Sequence, residues 1–63
     1  MKLTIEIEMD NAAFEPCNGD EAARILANYI RHDLEGECIT ETGTVRALID
    51  INGNHVGVAK IIN

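Results

Sequence analysis

Leu3, Ile5, Ile7 and Met9 alternate with Thr4, Glu6, Glu8 and Asp10 at the start of the chain. A period of two predicts a half-buried β-strand with its aliphatic set turned to the core. Asn11 to Cys17 break the period, and Pro16 stands just ahead of a helix-start signal. Asn18 is followed three residues on by Glu21, the capping-box spacing in which each side chain satisfies a free amide of the first turn. The helix is therefore expected to begin at Asn18 or Gly19, with Asp20 and Glu21 suiting the positive end of its dipole. Ala23, Leu26, Ala27, Ile30 and Leu34 then recur at helical spacing, flanked by Ala22, Ile25 and Tyr29, with Arg24, Asn28, Arg31 and Glu35 on the far side. This is one amphipathic helix of about 17 residues. Gly36 supplies the left-handed residue that commonly ends a helix.

Beyond the polar stretch from Glu37 to Gly43, Val45, Ala47, Ile49 and Ile51 alternate with Thr44, Arg46, Leu48 and Asp50. The first set is expected to face the core of a second strand. Asn52-Gly53-Asn54 is a hairpin signal, because Asn and Gly tolerate the positive φ of tight turns. With Gly53-Asn54 at the turn centre, Val45 stands opposite Ile62; with the turn one residue earlier, it stands opposite Lys60. The architecture is α+β: a single domain over residues 1–63, ordered β-α-β-β, with one helix packed on a three-stranded, mainly antiparallel sheet. Placing the third strand between the other two makes every neighbour antiparallel. The open sheet face would carry Thr4, Glu6, Glu8 and Asp10 beside Leu48, Gly57, Ala59 and Ile61.

Composition narrows the chemistry. The chain has 63 residues, with eleven Asp and Glu against five Lys and Arg, a net charge of -6. A domain of this size buries only roughly 60% of its unfolded surface, too little to enclose a deep substrate cleft. Direct binding to nucleic acid is disfavoured by the charge, since phosphate affinity comes mostly from Lys and Arg; a basic host protein is the expected partner. The charged residues of Met1 to Glu8 do not make a signal peptide, and no apolar run approaches the roughly 20 residues of a membrane span. A cytoplasmic location is expected. Cys17 and Cys38 flank a helix about 25 Å long, whereas a disulfide requires Cα atoms within about 7 Å, so reduced thiols are expected.

His32, His55, Cys17 and Cys38 show no ligand or catalytic spacing. No enzyme activity, metal or cofactor is expected. Asp50-Ile51-Asn52-Gly53-Asn54 superficially resembles a calcium loop, but His55 and Ile61 occupy the positions where that loop needs Gly and a bidentate Glu.

The acidic excess is localised. Residues 1–15 hold one Lys and four acids, residues 16–38 two Arg and five acids, and residues 39–63 two of each. Glu6, Glu8 and Asp10 would project from one strand face about 6.7 Å apart, similar to successive backbone phosphates. They are the primary candidate partner contacts, with Asp20, Glu21, Asp33 and Glu35 extending the field. A solvated strand face that keeps the protein soluble would have the same composition.

Met9-Asp10-Asn11-Ala12-Ala13-Phe14-Glu15, Ala22-Ala23-Arg24-Ile25-Leu26 and Leu48-Ile49-Asp50-Ile51-Asn52-Gly53-Asn54-His55-Val56-Gly57 carry a resemblance that spans most of the chain. The chain resembles very small bacteriophage and mobile-element proteins, and is similar to anti-CRISPR inhibitors of type I surveillance complexes. The resemblance implies a protein that acts in the host bacterial cell, binds such a complex and blocks it as a DNA mimic; it transfers no catalytic residue. The competing class is a structural or regulatory interaction module that dimerises through the open sheet face, with Leu48 and Ile61 at the contact. A monomer or weak dimer is expected.

Overall fold

The computed structural model describes residues 1–63. Strand β1 spans Lys2–Ile7, a 3-10 turn Ala12–Phe14, helix α1 Asn18–Tyr29, β2 Val45–Ile49 and β3 His55–Ile62. A π-helical turn, Ile30–Leu34, continues α1. The sheet order is β1-β3-β2 with both pairs antiparallel, and the helix lies on one face: the α+β arrangement with the last strand central.

The hairpin follows the earlier-turn register, with Val45 opposite Lys60. A bulge shifts it next to the turn, where Leu48 pairs with Gly57 but Ile49 with His55, so Val56 is the extra residue. Paired residues share a sheet face. Leu3, Ile5 and Ile7 pair with Ile61, Ala59 and Gly57, and Gly57 in turn with Leu48, which puts all of them on the helix side. Leu48, Ala59 and Ile61 are buried, whereas Val45, Ile49 and Ile51 are exposed. The expected facing of the hairpin is thus inverted. Its strands are apolar in both phases, so alternation alone does not choose the face; contact with β1 does. A Cβ on Gly57 would run into the Glu6 carbonyl oxygen, so β3 lies this close to the β1 backbone only because position 57 has no side chain.

Phe14, Ile25, Tyr29, Leu48, Val56 and Ala59 form the core, with Ile7, Met9, Ala13, Ala22 and Leu34 packed against them. Enclosing an aliphatic or aromatic side chain of this kind contributes about 1.5–3 kcal/mol. Phe14 reaches the centre because the Asn11 side chain accepts the Ala13 N–H at 2.9 Å and caps the 3-10 turn. Helix α1 begins at Asn18 as expected, but Cys17 occupies the cap position and makes no side-chain cap bond. Its inward residues are Ala22, Ile25 and Tyr29; Ala23, Ala27 and Ile30 are exposed. The helix is therefore turned by about one position, about 100°, from the stripe expected. Its last turn widens so that the Glu35 N–H reaches the Ile30 carbonyl at 2.7 Å, and Gly36, at φ +81°, ends it.

Replacing Gly57 by Ala should destabilise the protein by roughly 3 kcal/mol, at the upper end of overpacking costs, because the obstacle is backbone. Gly53→Ala, at φ +86° with open space around it, should cost only about 1 kcal/mol. Urea unfolding of the two variants checks the order; equal losses would contradict the close backbone approach at Gly57.

Candidate functional site

The acidic residues divide into those whose oxygens are engaged by protein donors and those left facing solvent. Asp50, directly after β2, is buried. Its Oδ1 accepts the backbone N–H groups of Asn52 and Asn54, each at 2.9 Å, and its Oδ2 accepts Asn11 Nδ2 at 2.8 Å and Asn54 Nδ2 at 3.2 Å. A single carboxylate thereby folds the hairpin turn and ties it to the segment that leaves β1. Burial pushes this carboxyl up, but the donors of Asn54, Asn11 and Asn52 outweigh it and hold it below its ordinary value.

Glu21, in the first turn of α1, is the second buried carboxylate. Arg24 binds it through two N–H groups, Nε to Oε1 at 2.8 Å and Nη2 to Oε2 at 2.9 Å. The Ile51 N–H donates to the same Oε2 at 2.8 Å. The paired Arg24 holds the carboxyl below its ordinary value despite burial, with Ile51 assisting. Glu21 therefore neither closes a capping box nor presents its oxygens to a partner. It docks the hairpin turn on the helix start. The part of Asp50 was missed in the sequence, where the Asp-x-Asn-x-Asn pattern suggested only a failed calcium loop; that pattern folds the turn around the carboxylate itself.

The other expected contact residues lie in two regions. Glu6 is exposed on the open face of β1. The strand ends at Ile7, and only one further bond, Glu8 N–H to the Val56 carbonyl at 2.7 Å, extends the pairing. Glu8 and Asp10 are exposed beyond it, beside a depression of about 250 Å³ that Asn11, His55 and Val56 also line. A uniform strand spacing over Glu6, Glu8 and Asp10 is thus replaced by one acid on the strand and two on the segment that leaves it. Asp20 is exposed at the helix start. Asp33 and Glu35 lie 13 and 15 residues further along, about 20 to 22 Å away at the helical rise. Asp33 is ion-paired with Arg46 at 2.8 Å, while Glu35 is exposed.

Eight carboxylates remain exposed: Glu6, Glu8, Asp10, Glu15, Asp20, Glu35, Glu37 and Glu41. Against them stand Lys2, Arg31 and Lys60, since Arg24 and Arg46 are engaged in ion pairs. Lys60 pairs with Thr4, and Lys2 with Ile62, so the open face carries these cations with Glu6 and the apolar Val45, Ala47, Val58 and Ile62. It is mixed rather than acidic. Leu48 and Ile61, expected there as a dimer contact, are buried on the opposite, helix-bearing side of the sheet.

A groove of about 500 Å³ runs between α1 and β2, with Ile25, Tyr29 and Leu48 beside Asn28, His32 and Arg46. His32 places Nδ1 2.8 Å from the Asn28 carbonyl oxygen. Burial, reinforced by the charge of Asp33, raises the Tyr29 hydroxyl above its ordinary value. No three His, Cys, Asp or Glu residues converge on a common point where they could hold a metal ion, and both cysteines are exposed free thiols. No helix is long and apolar enough to cross a membrane. Compared with protein-family models, curated proteins and solved structures, the chain matches none.

The two buried carboxylates link stability to pH. Their folded values lie below the unfolded ones, so the stabilisation is complete above the unfolded range of about 4 and is lost as pH falls through the folded values. Asp50→Asn retains the shape but turns an amide donor toward those of Asn11 and Asn54. Urea midpoints of this variant should be lower at neutral pH and fall less steeply in acid than those of the parent protein. Parallel acid profiles for the two proteins would contradict the role of Asp50.

Proposed function

We propose that the protein is a small phage or mobile-element inhibitor that binds a basic DNA site of a host nucleic-acid-binding complex, a type I CRISPR surveillance complex, through its exposed carboxylates. The observation that carries this reading is the segregation of unpaired charge. Glu6, Glu8 and Asp10 cluster where β1 leaves the sheet, near the hairpin turn, and the arginine at that end, Arg24, is already held by Glu21. No free cation stands beside Glu8 and Asp10 there; Lys60, opposite Thr4, lies diagonal to Glu6 on the open face, and Lys2 stands at the other end of the strand, opposite Ile62.

Carboxylates held by a rigid frame and outnumbering the free cations eight to three suit a basic channel that ordinarily takes phosphates. Asp20 adds to this end, and Glu35 with Glu37 forms a second acidic region beyond the helix. Glu21 and Asp33 drop out of the contact set, because Arg24 and Arg46 engage them. The resemblance to phage and mobile-element proteins supplies the class of target.

The test is a DNA-binding competition with a purified type I surveillance complex. The parent protein should displace target DNA, and the combined Glu6→Lys, Glu8→Lys and Asp10→Lys variant should require at least about tenfold more protein, a loss of 1.4 kcal/mol or more. Displacement by the parent should weaken with added salt, because exposed charges are screened. Full displacement by the folded triple variant would contradict the reading.

A further inference from the structure

Strand β2 is an edge of the sheet, with β3 on one side and solvent on the other. The Ile61 N–H to Thr44 carbonyl bond sets the phase of its ladder. Bonding to β3 then falls at Thr44, Arg46 and Leu48, so the N–H and C=O groups of Val45, Ala47 and Ile49 point outward. Only one of these outward groups has a partner in the fold, the Ile49 carbonyl, which accepts Arg24 Nη2 at 3.4 Å. The strand carries no proline or lysine, and Val45 and Ile49 are 62% and 45% exposed. An apolar edge of this kind is a template for another strand.

From this geometry we infer that the occupant is a second copy of the chain, joined by antiparallel β2–β2 pairing with Ala47 on the two-fold axis. The outward groups at 45, 47 and 49 are symmetric about Ala47, as an isologous contact requires. In that register Val45 of each copy meets the partner's Ile49, which buries the two exposed aliphatic side chains at the ends of the strand. Arg46 stands opposite the partner's Leu48 on the helix side, where its aliphatic stem covers part of the groove between α1 and β2.

Charge selects this edge. The only ionised side chain on β2 is Arg46, already neutralised by Asp33, so two molecules of net charge -6 meet here with least repulsion. The other edge, β1, carries the unpaired Glu6, and pairing about Ile5 would set the Glu6 carboxylates of the two copies diagonally beside each other. The pairing forms a six-stranded sheet with the two β1 strands outermost, about 24 Å apart at ordinary strand spacing. Both acidic ends stay free, so the inference stands independently of the proposed target.

Sedimentation equilibrium and amide exchange test it. From about 1 to about 300 µM the mass should rise from 6.9 kDa toward twice that value. The Val45, Ala47 and Ile49 amides should gain protection over the same range. Ala47→Pro removes an outward N–H, a change edge strands tolerate, and should leave a folded monomer. The paired substitution Val45→Lys and Ile49→Lys, at exposed positions, should do the same if the proline disturbs the strand. A monomer throughout the range overturns the inference. So does a dimer that survives both variants but is lost on Ile5→Pro, which would place the contact on β1. Protection of the three amides in a monomer on adding an unrelated extended peptide, Thr-Val-Thr-Val-Thr, would overturn it in favour of a foreign strand.

Discussion

Asp50 and Glu21 hold the hairpin turn in place from two directions, and the layout of the domain follows from that clamp. Asp50 gathers the turn amides and the Asn11 side chain; Glu21 takes the Ile51 amide while Arg24 balances its charge. Three segments far apart in sequence are thereby brought to one end of the molecule: the exit of β1, the start of α1 and the β2–β3 turn. Burying a carboxylate is costly unless its oxygens are fully bonded. Here both carboxylates meet several donors, and no buried side-chain polar atom lacks a partner. In a core of only six buried apolar residues, such polar fixing defines the relation of helix to hairpin where hydrophobic contact alone would leave it loose.

The clamp also sorts the charge. Two acidic residues serve the fold, Asp33 serves an ion pair that pins the helix end to β2, and the rest face water. Engaging Arg24 and Arg46 removes two of the five basic side chains from the free surface, which leaves the exposed charge more one-sided than the composition suggests. The structural use of some carboxylates thus intensifies the acidity that the others present.

Strand β1, the span of the helical segment, the Gly36 stop, the hairpin and the central place of β3 were legible in the sequence, because each rests on local periodicity or turn chemistry. The facing of the hairpin was not. Ala47, Leu48 and Ile49 are consecutive apolar residues, as are Val58 and Ala59, so either phase offers a plausible core. The choice rests on Gly57 against the Glu6 backbone and on the bulge that turns Val56 inward. Helix α1 was ambiguous for a similar reason: Ala22, Ala23, Ile25, Leu26, Ala27, Tyr29 and Ile30 cover more than one side of it. Among the candidate site residues, Glu6, Glu8, Asp10, Asp20 and Glu35 are exposed as expected. Glu21 was misplaced because its spacing from Asn18 fits a local cap, whereas its partners include a backbone amide thirty residues away.

The division of carboxylates into structural and exposed groups is tested most directly by following every side-chain carboxyl by NMR through an acid titration of the folded protein. Asp50 and Glu21 are predicted to titrate below the ordinary carboxylate range, with the Ile51, Asn52 and Asn54 amide signals shifting in step as their acceptors are protonated. Titration of either carboxyl at or above that range, with those amides unmoved, would contradict the account.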